Sequence, residues 1–214
     1  MNTKRLLKRA VKEIHNGQII NLGIGLPTQI IDYLPDDADV LLHSENGILG
    51  SWKTATREDA SPFLIDAGGK YVGTRAGTSF FDSATSFAMI RRGKIDLAIL
   101  GAFEVDQEGS LANWKIPGKY SPGIGGAMEL AQKTPKLVVL CAHKDKQGQS
   151  KILKKCQLPV TARHCISRVI TDLAVMDVTP EGLLLKEISE DISLGDLLAV
   201  TEAELLIPDT IGRF

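Results

Sequence analysis

Three short stretches hold the residues whose types and spacing could do chemistry. In LLHSENGILG, Leu41 to Gly50, an apolar run ends in His43, Ser44, Glu45 and Asn46, and Gly47 then lets the chain turn sharply. Open α/β sheets bind ligands at the carboxyl ends of their strands, which is where this pattern puts Glu45. A glutamate at its ordinary pKa of about 4.3 is ionised at neutral pH and can act as a nucleophile without a base. On position alone, Glu45 is either an incidental loop carboxylate or a working group. In SPGIGGAMEL, Ser121 to Leu130, three glycines (Gly123, Gly125, Gly126) open directly onto a helix. Backbone amides in such a loop can face a phosphate or a developing oxyanion without obstruction. A plain loop needs only one or two glycines, and on spacing both readings stand. In NLGIGLPTQ, Gly23 and Gly25 follow a strand as in a dinucleotide fingerprint, but Thr28 replaces the third glycine. A tight strand-to-helix turn is the better reading, one that can still offer N–H groups to an anion.

Other chemistries find little support. The four histidines, His15, His43, His143 and His164, include no pair at i, i+4 and no carboxylate pattern to match, so no metal site is predicted. The nucleophile-elbow pattern GxSxG is absent. Cys141, Cys156 and Cys165 form no CxxC pair and leave an odd number, which argues against a disulfide framework and fits a reducing cytosol. Cys141 reads as a small core residue rather than a nucleophile. Trp52 and Trp114 both fall near loops, where each either walls a pocket or anchors the chain.

The elements that must position these residues follow from hydrophobic period. Thr3 to Asn16 places Leu6, Leu7, Ala10, Val11 and Ile14 on one helical stripe, with Gly17 as a stop. QIINLGIG and DVLLHS read as buried strands, with a helix from Pro27 to about Pro35 between them. FLIDAGG looks like another strand end. DSATSFAMIRRG is a helix capped by Asp82 or Ser83, and KIDLAILGA and PKLVVLCA are continuous apolar strands on either side of the short helix AMELAQK. Helices alternating with such strands predict an α/β fold, an open, largely parallel sheet flanked by helices. RVITDLAVMDVTPEGLLLKEI alternates around a Pro-Glu-Gly turn and predicts a C-terminal antiparallel hairpin. Residues 1–214 read as a single domain.

Hydrophobic residues at 43% and charged residues at 24% fit a soluble globular protein, and a net charge of -1 favours neither nucleic acid nor anionic membrane as a partner. The cluster Lys4, Arg5, Lys8, Arg9, Lys12 reads as the solvated face of the first helix. No secretory signal and no apolar run of roughly 20 residues is present, which together with the cysteines predicts a cytoplasmic protein.

Taken together, NLGIGLP, SENGILG, FFDSATSFAMIRRGKIDLAILGAFEVD, LANWKIPGK and GIGGAMELA stand in the order found in the beta subunits of the 3-oxoacid coenzyme A-transferases. The chain resembles that family from about Leu6 to Asp172 and more loosely beyond. The resemblance implies a fold related to the sugar-phosphate isomerases. It also implies that Glu45 attacks an acyl-CoA thioester, forming an acyl-glutamyl anhydride and then an enzyme-CoA thioester in a ping-pong exchange. It gives the oxyanion donor as the backbone amide of Gly126, with Gly125 and Ala127 shaping the loop and Gly23, Gly25 and Asn46 in the CoA site. CoA and acyl-CoA are substrates, and no bound cofactor or metal is implied. A homologous CoA-transferase alpha subunit is the implied partner, in an α2β2 assembly. The acid pair stays open: acetoacetate with succinyl-CoA, acetyl-CoA or butyryl-CoA all fit. The sequence departs from the family pattern at Ser51-Trp52-Lys53 and Ala76-Gly77, which are expected to border the acyl pocket, with Trp52 narrowing it. The rival readings are an acyl-CoA hydrolase, a sugar-phosphate isomerase that works without a partner chain, and a CoA-binding regulator without activity.

Overall fold

The computed structural model describes residues 2–53, 56, 58, 60–119, 121 and 123–214. Helix α1 (Thr3–Val11) starts where Asn2 Oδ1 accepts from the Arg5 N–H at 3.2 Å, and it buries Leu6, Leu7 and Ala10. It is shorter than its apolar stripe predicts. Beyond Val11 the bonds tighten to i→i+3, from the Glu13 N–H to the Ala10 carbonyl and from the Ile14 N–H to the Val11 carbonyl, both 3.0 Å. Strand β1 (Ile19–Leu22) follows. Pro27–Tyr33 then forms a 3-10 helix rather than the predicted α-helix. Leu34 is extended because Pro35 disfavours the helical region before it. Strands β2 (Leu41–Ser44), β3 (Ile48–Trp52) and β4 (Gly73–Phe80) come next. Helix α2 (Ser83–Arg91) is capped by the Asp82 carboxylate, which accepts from the Thr85 N–H at 2.7 Å.

The chain continues through β5 (Leu97–Leu100), β6 (Glu104–Asp106), β7 (Leu111–Ala112), α3 (Ala127–Lys133), β8 (Lys136–Cys141) and β9 (Ile152–Leu153). It ends with β10 (Arg168–Thr171), β11 (Ala174–Thr179), β12 (Gly182–Ile188), α4 (Leu194–Ala199), β13 (Leu205–Leu206) and β14 (Gly212–Arg213). The main sheet runs β13-β12-β11-β10-β8-β5-β1-β2-β3-β4, with β14 beside β12, while β6, β7 and β9 form a small second sheet. From β10 through β8, β5 and β1 to β2 every pairing is parallel. This is the mostly parallel α/β sheet that the apolar strands predict, and β11 and β12 form the predicted hairpin.

Two features depart from the sequence reading. The sheet continues antiparallel from β2 into β3 and β4, past the point where a loop is predicted. Strand β4, GTRAGTSF, buries neither face, so its sequence lacks the alternation that marks a strand. FLIDAGG, in turn, is a tight turn with one bridge from Ile65 to Tyr71. Asp66 Oδ1 closes it by accepting from the N–H groups of Gly68 and Lys70, both at 2.8 Å.

Successive residues of the central strands face opposite layers. Ala98, Leu100, Leu137 and Val139 pack under α3 with Leu130, while Leu97, Ile99, Val138 and Leu140 pack with Leu6, Leu7 and Ile20 on the α1 side. Among the described residues no helix is long and apolar enough to cross a membrane.

On the α1 side Lys4, Lys8 and Lys12 are exposed, as the solvated-face reading of the basic cluster expects, but the structure corrects that reading for Arg9. Arg9 is 5% exposed and Glu13 3%. Glu13 accepts from Arg9 at 2.8 Å, Arg168 at 2.6 Å and Lys136 at 2.7 Å. Arg9 also forks onto both oxygens of Glu187, each at 2.7 Å, and Arg168 onto Asp177. Burial pushes the Glu13 carboxyl up, but the hydrogen bonds from Lys136, Arg9 and Arg168 outweigh it and hold the pKa at about 2. The cluster ties α1 to the first residues of β8 and β10 and to β11 and β12.

His143, fully buried past β8, has Nδ1 2.9 Å from Thr171 Oγ1 and Nε2 2.9 Å from Thr201 Oγ1. Burial lowers its pKa to about 4.

Removing one member of a buried ion cluster strands the others, at about 3–5 kcal/mol. Glu13→Gln is therefore expected to lower the urea midpoint by that equivalent, and an unchanged midpoint would contradict the role given to Glu13. His143 is uncharged in the fold yet ready to take a proton once unfolded. Its contribution is complete above pH 6.5 and falls as pH drops towards about 4. Urea melts between pH 6.5 and 4.5, above the window in which Glu13 titrates, are expected to show a shallower slope for His143→Gln. The difference is about 1.4 kcal/mol per pH unit.

Candidate active site

Strand β2 ends at Ser44, and Glu45 is the first residue of the turn into β3. The turn closes with the Gly47 N–H on the Ser44 carbonyl at 3.0 Å. Gly47 has φ +116°, and a side chain there would start 1.9 Å from the Phe81 carbonyl oxygen. Only glycine allows that approach, which lets Phe81 N–H bond the Gly47 carbonyl at 3.0 Å and clamps the Glu45 turn onto the start of α2.

Strand β1 lies beside β2 with Asn21 opposite His43. The Asn21 amide nitrogen is 3.2 Å from Glu45 Oε2, and also 3.2 Å from both the His43 carbonyl and His43 Nδ1. On the other side stands Gly126, which caps α3. A side chain on Gly126 would begin 3.5 Å from Glu45 Oε1 and 3.4 Å from the Phe87 ring. Glu45 and Gly126, distant in sequence, are neighbours in space, separated by about the room a methyl group would take.

Both border a cavity of about 590 Å³ at the carboxyl ends of β1, β5 and β8. Of the residues singled out from sequence, Glu45, Gly23, Gly125, Gly126 and Ala127 line it together. Gly23 is glycine for packing: a side chain there would meet Leu100 Cδ2 at 2.9 Å and the Ile99 carbonyl at 3.2 Å. Gly25 and Asn46 do not line the cavity. Gly25 carries a turn at φ +99°, its carbonyl accepting from Thr28 Oγ1 at 2.8 Å, and the Asn46 amide donates to the Ile65 carbonyl at 2.8 Å.

The expectation that Trp52 narrows the pocket around Glu45 is not met. Trp114 lines the Glu45 cavity, whereas Trp52 stacks under the Arg75 guanidinium at 4.2 Å and borders a separate cavity of about 80 Å³. Ser51, Lys53 and Ala76 are likewise absent from the walls around Glu45. Strands β3 and β4 carry these residues beyond β2, outside the strand ends that enclose the cavity.

Sequence reasoning missed Asn21 and Lys151 as cavity residues, while Trp114 takes the pocket-wall alternative offered for it. An amide inside the apolar run IINLG was a usable signal, because a buried amide needs partners. Asn21 Oδ1 and Trp114 Nε1 are buried without a partner among the described residues, and both residues line the cavity. The Lys151 ammonium, on the same wall, donates to the Ala102 carbonyl. Burial raises the pKa of the Cys141 thiol, which therefore stays a core thiol beside the cavity. The rim is apolar: Ile24 is 65% exposed and Phe103 38%.

Comparison with known proteins gives the family of the chain. The coenzyme A transferase family matches residues 4–192. The chain is 48% identical to the beta subunit of the acetate CoA-transferase of Haemophilus influenzae, over 98% of this chain and 94% of that one. It is 45% identical to the B-type subunit of a probable succinyl-CoA:3-ketoacid coenzyme A transferase of Bacillus subtilis, over 97% and 96%. Among solved structures, an acyl-CoA transferase (YdiF) apoenzyme from Escherichia coli O157:H7 superposes with a TM-score of 0.80 at 23% identity. That match covers 99% of this chain but only 43% of the other, so it speaks for the fold alone. With the family matched over most of its length and near full-length relatives at this identity, the chain belongs to the coenzyme A transferases, among their beta-type subunits.

Proposed function

We propose that this chain is the nucleophile-bearing subunit of a 3-oxoacid-type CoA-transferase, acting through Glu45. The observation that carries the reading is the Glu45 carboxylate held between the Asn21 amide and Gly126 at the edge of the cavity. Glu45 attacks the thioester carbonyl, and the tetrahedral oxyanion takes a hydrogen bond from the Gly126 N–H. Collapse expels the CoA thiolate and leaves an acyl-glutamyl anhydride. The thiolate then attacks the glutamyl carbonyl, giving a glutamyl-CoA thioester and releasing the first acid. A second carboxylate repeats these steps in reverse. A thioester is already reactive, so the exchange needs a weak nucleophile that is also a good leaving group, and a carboxylate is both. Serine or cysteine would form a more stable acyl derivative and stall the exchange.

CoA and acyl-CoA serve as substrates, with no bound cofactor and no metal in these steps. The exchanged acids are short-chain carboxylic acids, acetoacetate with succinyl-CoA, acetyl-CoA or butyryl-CoA, in the cytoplasm. The relatives' names, acetate in one and a 3-ketoacid in another, leave that range open. The partner is a homologous CoA-transferase alpha subunit in an α2β2 assembly. The apolar rim at Ile24 and Phe103 and the two-sided exposure of edge strand β4 support a covering chain, which would also keep water from the anhydride.

Intact mass of the chain, purified with its partner and briefly exposed to acetoacetyl-CoA, tests this reading. A mass gain matching covalent CoA, removed by hydroxylamine and absent from Glu45→Ala, is expected. Exchange in that variant is expected to fall on the order of 10⁴-fold or more. Retained turnover would sink the assignment, and thioester consumption without an acceptor acid would point to the hydrolase instead. Gly126→Ala fits the available space, but Gly126→Val must press on Glu45 and Phe87. The valine variant is expected to lose about 10²-fold in kcat with a smaller change in KM. Equal rates for both variants would remove Gly126 from the oxyanion site.

A further inference from the structure

We propose that His43 is a positioning residue for the transfer reaction, holding the Glu45 carboxylate through the side-chain amide of Asn21 so that Oε1 is the attacking oxygen. This rests on Glu45 being the nucleophile. The four groups form one string across three elements. Ser86 Oγ on α2 is 2.9 Å from His43 Nε2 on β2, His43 Nδ1 is 3.2 Å from the Asn21 amide nitrogen on β1, and that nitrogen is 3.2 Å from Glu45 Oε2. Ser86 is fully buried, and Asn21 and His43 are 1% and 4% exposed.

The orientation of each group follows from its neighbours. Turned the other way, the Asn21 carbonyl oxygen would face the His43 carbonyl and the Glu45 carboxylate, acceptor against acceptor. The nitrogen therefore faces them, and its two N–H bonds are shared among three acceptors. For Nδ1 to be one of those acceptors, the imidazole proton must sit on Nε2, where it donates to Ser86 Oγ. Burial alone lowers the His43 pKa to about 4, so the ring is neutral at physiological pH and keeps that lone pair.

The string ends on the reactive group, and it treats the two carboxylate oxygens differently. Oε2 is tied to Asn21, while Oε1 lies 3.5 Å from where a Gly126 side chain would begin. Pinning one oxygen fixes the rotation of the carboxylate and presents the other to the carbonyl beside the Gly126 amide. Misplacement of a reacting group by about 1 Å can cost on the order of 10²-fold in rate.

The test uses this chain assembled with its partner. His43→Leu keeps the volume but removes the acceptor, while His43→Gln offers one acceptor and one donor at similar reach. Covalent CoA adduct formation in a single turnover is expected to slow about 10- to 100-fold in the leucine variant, with KM for acyl-CoA within about twofold. Glutamine is expected to restore the rate to within about threefold of wild type. Leucine at the wild-type rate, in an enzyme with unchanged melting temperature and partner association, overturns the proposal, as does an equal loss for glutamine and leucine. Should the leucine variant fail to fold, neutron diffraction from the wild-type enzyme decides the point. A proton on Nε2 of His43 supports the relay and a proton on Nδ1 excludes it. Neither outcome bears on whether Glu45 forms an adduct, so failure of the relay is separable from failure of the transferase reading.

Discussion

Strands β1 and β2 lie side by side, parallel, with Asn21 opposite His43, and the site depends on that register. It brings an amide within reach of a carboxylate one residue beyond the neighbouring strand's end. Because side chains alternate faces, a slip of one residue would send Asn21 into the opposite layer and replace it with an isoleucine or a leucine. The register is held by burial on both sides: Ile20 is fully buried among the residues under α1, while Asn21 turns towards the cavity. Packing of the α1 layer and placement of the Asn21 amide beside Glu45 are thus one constraint seen from two faces of a sheet.

The two ends of the parallel strands divide the work. At the amino ends, Lys136 and Arg168 begin β8 and β10 and converge with Arg9 on the buried Glu13. Such a cluster gains little over apolar packing when complete but is costly when broken, so it penalises mispaired arrangements of α1 and the sheet. At the carboxyl ends, around the cavity, pairing is incomplete. Asn21 Oδ1 and Trp114 Nε1 have no partner among the described residues, whereas the Glu13 carboxylate has three. Asn21 and Trp114 both line the cavity, where a bound molecule can supply the missing partners.

Among the described residues the Glu45 carboxylate is met by an amide and not by a cation. A guanidinium on Oε2 would hold the anion by a stronger, charge-assisted bond. An amide donor steers the oxygen with a weaker neutral hydrogen bond. The burial that keeps His43 uncharged is the burial that orders Ser86 and Asn21, so position and protonation state share one cause.

Much of this could be read from the chain alone, because it depends on local period and local sterics. Apolar runs such as LAIL and KLVVLC read as buried strands from their length and flanking breakers, Asp82 caps its helix, and SENG with GGAM downstream carries the family resemblance. Strand β4 was hidden because neither of its faces is buried, and Arg9 was misread as solvated because Glu187 meets it only in the fold. Asn21 and Glu45 are 24 residues apart and His43 and Ser86 are 43 apart, so no local pattern links them. Sequence determined that a carboxylate stands at a strand end and that a glycine loop opens a helix. Tertiary structure decided which oxygen of that carboxylate is held and which is free. It also decided that Trp114 rather than Trp52 borders the cavity. The reason is physical: strand order and register are set by burying both faces of the sheet at once, a property of the whole chain.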